Sequence, residues 1–240
     1  PAAPPVVGEV VLPVDAHRDE IVQHVKEHAV TIIHGETGCG KSSRVPLMLY
    51  DSTPNCRMFI SQPKRIAVKS LLDRVRQSPG MKDVVGMRMG HGMRDEGPKT
   101  RLWFVTTGYL VRLMAHHPEA FDNHTHLIVD EVHERSVDTD LLCLFTRRLL
   151  QRHKTLRLVL MSATLAADMY REYFSVPEPP LFVGVRRFPI ETFYSEDLAA
   201  LRLPQKAAEQ ARRLSTNTEG GGAPASVVTN LQQQLAVQVS

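Results

Sequence analysis

The sequence predicts an α/β domain in which a mostly parallel sheet lies between two layers of helices. Short apolar runs alternate with helical patterns from Asp15 onward. Several runs, "AVTIIH", "THLIVD" and "TLRLVLMS", are apolar almost throughout, as strands covered on both faces are. A Gly-rich turn directly follows the first run, and ligands of open α/β sheets bind beyond such strand ends.

Taken in order, residues 1–14 are Pro-rich and read as a poorly ordered lead. "DAHRDEIVQHVKEH" reads as a helix with Ile21, Val22 and Val25 on one face and Asp15 as N-cap. "AVTIIH" is a strand and "KSSRVPLMLY" a helix; "CRMFIS" is a strand and "KRIAVKSLLDRVRQ" a helix. "DVVGM" and "RLWFVT" are strands around a Gly-rich loop, "HGMRDEGPK". Then come the helix "TGYLVRLMAHH", the strand "THLIVD", the amphipathic helix "VDTDLLCLFTRRLLQRH", the strand "TLRLVLMS", the helix "LAADMYREYF" and an extended run, "FPIETFY". The domain is expected to span 15–194. Residues 195–240, with "TNTEGGGAPAS" in their middle, read as helical pieces around a linker.

With 42% hydrophobic and 23% charged residues over 240 positions, the composition is that of a globular domain. No apolar run approaches the roughly 20 residues of a membrane span. The chain has no starting Met and no signal-peptide pattern, and is expected to be part of a longer protein. A net charge of +3 permits a polyanionic partner without demanding one. Three widely spaced cysteines with no CxxC pair predict a reducing, intracellular setting, cytoplasm or nucleus, and no zinc site. Among eleven histidines there is no HExxH, and the pair His124 and His126 reads as solvated loop surface.

Gly35-Glu36-Thr37-Gly38-Cys39-Gly40-Lys41-Ser42 fits GxxxxGK[ST]. Glycines let successive N–H groups converge on an anion, and the helix starting near Lys41 adds its positive end. Lys41 can reach the β- and γ-phosphates and Ser42 can ligate Mg²⁺. An ordinary Gly-rich turn is the plainer alternative, but the strand before and the helix after match the nucleotide context. This loop alone does not separate a small-molecule kinase, a GTPase and a motor ATPase.

In "THLIVDEVHERS" an apolar strand ends in Asp130-Glu131, which should arrive beside the loop. Asp130 is suited to holding Mg²⁺ and Glu131 to polarising water. The alternative is an acidic surface pair capping the next helix. A water-directed carboxylate points to hydrolysis, and the absence of an NKxD-like run weighs against a GTPase.

"GETGCGKSS", "SQPKRIAV", "TTGYLVRLM", "DEVHERSVDTDLL" and "LMSATL", in this order and spacing, resemble the first RecA-like domain of DEAH/RHA-type superfamily 2 helicases, in the DEVH variant. The resemblance covers roughly Leu12 to Tyr194. It implies a three-layer RecA-like P-loop NTPase fold, ATP with Mg²⁺ as cofactors, and an RNA helicase or remodelling activity. Gly35, Thr37, Gly38, Cys39, Gly40, Lys41, Ser42 and Ser43 then form the nucleotide grip, with Arg74 stacking on the base. Ser42 and Asp130 are the implied Mg²⁺ ligands and Glu131 the base. His133, Ser162 and Thr164 are implied to couple hydrolysis to domain movement. Lys64, Arg65, Thr107 and Gly108 are implied to hold a single strand by its backbone. The implied partners are a nucleic acid and a second RecA-like domain, with no membrane.

Two departures from the family stand out. Met87-Arg88-Met89-Gly90 replaces a Y-x-x-R-like run that touches RNA, and Cys39 replaces a Ser- or Ala-sized residue and opens the loop to oxidation. Two other readings stay open: an RNA-binding scaffold that keeps the fold without turnover, and a DNA-directed motor, since the letters do not tell whether any group reads a 2′-OH.

Overall fold

Strand residues that alternate in sequence bury into two different cores, which explains runs apolar throughout. In the computed structural model, which describes residues 11–164 and 167–184, Ile33, Met58, Ile60, Phe104, Ile128, Val159 and Met161 face one core. Their neighbours Ile32, Phe59, Val105, Leu127, Val129, Leu158 and Leu160 face the other. The strands are β1 (Val30–His34), β2 (Met58–Gln62), β3 (Val85–Arg88), β4 (Arg94–Asp95), β5 (Leu102–Thr106), β6 (His126–Val129), β7 (Arg157–Ser162) and β8 (Leu181–Phe182). They form one sheet in the order β4-β3-β5-β2-β6-β7-β1-β8. Every pairing is parallel except β3 with β4.

The helices divide cleanly. Ile21 and Val25 of α1 (Arg18–Glu27), Val45, Met48 and Leu49 of α2 (Lys41–Ser52) and Val68, Leu72 and Val75 of α3 (Arg65–Arg76) fill the first core. Leu110, Val111 and Met114 of α4 (Thr107–His116), Leu142, Cys143 and Leu149 of α5 (Val137–Arg152) and Tyr170 of α6 (Ala167–Phe174) fill the second. The result is the three-layer, mostly parallel α/β domain expected. All described residues fall within one compact unit, 1–187. Because the strands are parallel, the starts of α2, α3 and α4 share the carboxyl edge. None of the described helices is long and apolar enough to cross a membrane.

The structure corrects several readings. Asp15 is not the N-cap of α1: Pro13–His17 forms a separate 3-10 turn, and Asp15 accepts a hydrogen bond from the Leu12 amide at 2.8 Å within it. The lead also ends before residue 14, because Val14 is fully buried and its amide donates to the Cys39 carbonyl at 3.1 Å. Within the expected Gly-rich loop, Arg94 and Asp95 form the antiparallel edge strand β4. His124 and His126 are buried rather than solvated: His126 lies in β6, and His124 stacks on Phe59 with centroids 4.2 Å apart. Burial, reinforced by Arg57 for His124 and Arg157 for His126, pushes both down to about 4. "FPIETFY" and 195–240 lie outside the described residues.

Candidate nucleotide site and nucleic-acid edge

The loop between β1 and α2 needs its glycines for separate reasons. Gly38 and Gly40 have φ of 86° and 101°, which only glycine adopts without strain. At Gly35 the backbone is ordinary, but a Cβ would lie 1.9 Å from the Val183 carbonyl oxygen, just after β8. The Gly35 amide donates to the Ser162 carbonyl at 3.1 Å, so the loop is anchored to β7 at its first residue.

Lys41 opens α2 and is only 6% exposed. Its ammonium donates to the carbonyls of Gly35 and Glu36, the latter at 3.0 Å, and lies 3.6 Å from Cys39 Sγ. The cation is thus curled inside the loop it would use to hold phosphate. Cys39 is buried, and Gly184 stands so close that a Cβ there would sit 3.0 Å from Cys39 Cβ. Ser42 is the second residue of α2 and hydrogen-bonds the Asp130 carboxylate. Ser43 turns away, its hydroxyl donating to the Gly40 carbonyl at 3.3 Å. Thr37 lies in the turn and is exposed.

Asp130, at the end of β6, is 3% exposed. Burial pushes its carboxyl up, opposed by hydrogen bonds from Ser42, Gln62 and the Glu131 amide and by Lys41. The Gln62 amide donates to it at 2.6 Å and the Glu131 amide at 2.9 Å. Glu131 is non-glycine with φ 53°, a strained conformation held by the surrounding turn. Its carboxyl is raised by burial and by Asp130, against the pull of His133 and Lys41. Adjacent carboxylates in a half-dry site crave a cation, and the Ser42–Asp130 pair suits a hard metal ion. Among the described residues no cluster of three or more His, Cys, Asp or Glu forms another metal site.

The strand end also carries the link to β7. After Glu131, Val132–Glu134 makes a 3-10 turn. The Ala163 amide donates to His133 Nδ1 at 3.3 Å, while Glu131 Oε2 lies 3.4 Å from the same nitrogen. Ser162 is fully buried and its hydroxyl accepts from the Thr164 amide at 3.2 Å. Thr164 itself is exposed. The Tyr170 hydroxyl of α6 donates to the Val132 carbonyl at 2.6 Å and pins the turn from the other side. Gln62 and Tyr170 escaped the sequence reading. Gln62 lay in a quoted motif, but nothing local tells that it faces Asp130 68 residues away; Tyr170 lay in a run read only as a helix.

Lys64 and Arg65 cap and open α3, and Thr107 and Gly108 open α4. Gln62 and Thr106 are register partners on adjacent strands, so the two helix starts are neighbours. Lys64 Nζ donates to Glu134 Oε1 at 2.7 Å, and Arg65 Nη2 lies 3.8 Å from Met93 Sδ. The Thr107 side chain faces inward, 3.4 Å from Ser61 Oγ. A Cβ on Gly108 would meet Asp138 Oδ2 at 2.7 Å, so that space already holds a carboxylate. Arg74 is exposed in the last turn of α3, beside Ile66, Lys69 and Asp73, and no described contact joins it to the phosphate loop. Arg88 is engaged elsewhere, bonded to Glu96 at 2.9 Å and lying over the Trp103 ring.

A phosphate loop on β1, an acidic pair on β6 and a Ser-Ala-Thr turn on β7, all on one edge of a parallel sheet, define a RecA-like helicase domain. The chain belongs to the DEAD/DEAH box helicase family, whose model matches residues 15–172. It is 38% identical over 200 residues to the ATP-dependent RNA helicase DHX29 of Homo sapiens, a match covering 78% of this chain and 14% of that protein. It is 36% identical over 197 residues to the human ATP-dependent RNA helicase DHX30, covering 79% of this chain and 16% of that one. The crystal structure of the Escherichia coli DEAH/RHA helicase HrpB superposes with a TM-score of 0.68 at 29% identity, over 95% of this chain and 30% of that chain. The chain therefore spans less than a third of the length of each of these relatives.

Proposed function

We propose that this chain is the ATP-binding motor domain of an RNA helicase, coupling nucleotide hydrolysis to the unwinding or remodelling of RNA or RNA–protein complexes. The observation that carries this is the cluster of buried Lys41, Asp130 and Gln62 with half-buried Ser42, beside the half-buried Glu131. It brings a phosphate-facing cation, a metal-suited hydroxyl and carboxylate and a water-directed carboxylate to one strand edge, which supports this reading. The RNA assignment leans on relatives described as RNA helicases.

The residues present fit Mg²⁺ and a nucleoside triphosphate. Gly38 and Gly40 free the loop amides for phosphate oxygens, and Lys41 exchanges two backbone carbonyls for them. Asp130 and Ser42 would hold the metal ion, which when bound neutralises phosphate charge. Glu131, whose basicity is raised by burial and by Asp130, accepts the proton of the attacking water at its carboxylate. His133 holds the Ala163 amide and so ties this base to the Ser162–Thr164 turn. Base selectivity should be weak if Arg74 stacks on the base, since stacking does not tell purines apart by hydrogen bonds.

The deciding experiment is phosphate release by the full-length protein with and without RNA. RNA-stimulated release is expected; RNA binding without release at any RNA concentration would establish the scaffold reading instead. The 240-residue chain alone should turn over poorly, because an arginine finger from a second RecA-like domain is worth about 10³–10⁵ in rate in related enzymes.

A further inference from the structure

We propose that the segment following the acidic box, through Glu134 and Asp138, is an internal stand-in for RNA phosphates that the nucleic acid must displace. This rests on the nucleic-acid edge proposed above. Two elements there are suited to backbone phosphates, the Lys64 ammonium and the glycine start of α4. Each already faces a carboxylate, and both carboxylates come from one five-residue stretch. Glu134 Oε1 is 2.7 Å from Lys64 Nζ. Asp138 Oδ2 lies against Gly108, 2.7 Å from where a Cβ would stand. Neither acid is needed for burial: Lys64 is well exposed, and both Glu134 and Asp138 lie at the surface.

The stretch is not an isolated loop. Glu134 ends the 3-10 turn that carries His133, and Asp138 sits in the first turn of α5. That turn is tied to Ala163 through His133 and to α6 through the Val132 carbonyl. A phosphate that takes Lys64 from Glu134 therefore acts on the residue next to His133, three positions from Glu131. Binding at the nucleic-acid elements and arrangement at the nucleotide site then influence each other reciprocally. Glu134 and Asp138 are positioning residues in this scheme and touch no reacting atom.

The test is a binding cycle on the 240-residue chain, read by anisotropy of a labelled oligouridylate at low salt. Glu134→Gln and Asp138→Asn should each tighten binding about two- to fivefold, the size of an exposed ion pair. The Glu134→Gln gain should vanish in a Lys64→Ala background, and Glu119→Gln, an exposed acid at the opposite edge, should give none. Saturating oligouridylate should shift the affinity for a fluorescent ADP less in the Glu134→Gln, Asp138→Asn double variant than in the parent. Equal tightening with or without Lys64, or from Glu119→Gln, would reduce the effect to bulk charge and overturn the proposal. So would an inert Glu134→Gln where Lys64→Ala does weaken RNA. If Lys64→Ala leaves RNA binding unchanged, the nucleic-acid edge itself is wrong, and the stand-in falls with it.

Discussion

The candidate nucleotide site and the candidate nucleic-acid edge share one rim of the sheet, yet they are built oppositely. At the nucleotide site the charges are inside: Lys41 and Asp130 are nearly inaccessible, and each is held by several hydrogen bonds. At the other, Lys64 and Arg65 stand in water with one described contact each. A buried charge is all or nothing, because removing its partner leaves an uncompensated group in a poor dielectric. An exposed one is graded and screened by salt. On the proposed function, the same rim would grip a nucleotide firmly and hold a strand loosely enough to move along it.

The largest expected effect tests the buried half. Lys41→Ala should abolish nucleotide binding measured by titration with a fluorescent ADP, since the cation faces several phosphate charges in a partly dry site. Retained affinity would show that the loop works through its amides alone. Next, Glu131→Gln should keep binding and lose hydrolysis by about 10²–10⁴-fold. Phosphate release at the parent rate would take the base role from Glu131.

A third test carries the comparison to the amino edge, where burial acts on histidines. His124 and His126 titrate at about 4 in the fold, against 6.5 when unfolded. Between these values the unfolded chain binds protons that the native one refuses, so stability falls as pH drops from about 6.5 to about 4. Each ring accounts for up to about 3 kcal/mol. Urea midpoints across that range should fall, and His124→Phe, which keeps the stack on Phe59, should flatten the fall. An unchanged slope in that variant would mean that His124 gains a proton without cost. The smallest effect is at the exposed half. Lys64→Ala with Arg65→Ala should weaken every homopolymer alike, about three- to tenfold, and leave nucleotide affinity untouched. The parent log–log salt slope should be about −1 to −2. A loss confined to one base composition would end the backbone-reading model.

What the sequence made legible follows the same division. The phosphate loop and the acidic pair are each contiguous, so their chemistry is written in a few adjacent letters, and the apolar strands that place them announce themselves by length and composition. The arginine at 88 and the histidines at 124 and 126 gave no such sign. Whether Arg88 reaches RNA or Glu96 depends on a two-residue edge strand too short to show a period. Whether His124 is wet depends on Phe59, Trp103 and Phe121 closing around it from two other strands and a 3-10 turn. Gln62, Glu134 and Asp138 were in view as letters, but their partners lie across the sheet or on another helix. Such pairings appear only when the fold is assembled.

The Val183 carbonyl that forbids any side chain at residue 35 has a consequence for where the protein can be cut. The last of the five quoted motifs ends at Leu165, and the family match ends at 172. A chain trimmed there would carry all five. It would still lack the strand that pairs Leu181 with Ile33, takes the His34 carbonyl as acceptor and roofs the first loop residue. Gly35 would keep its bond to the Ser162 carbonyl but lose the Val183 carbonyl packed against it, and Cys39 would lose the backbone of Gly184 beside it. The smallest piece that keeps the phosphate loop shaped is thus longer than the piece that can be recognised, by the dozen residues that lead to Gly184.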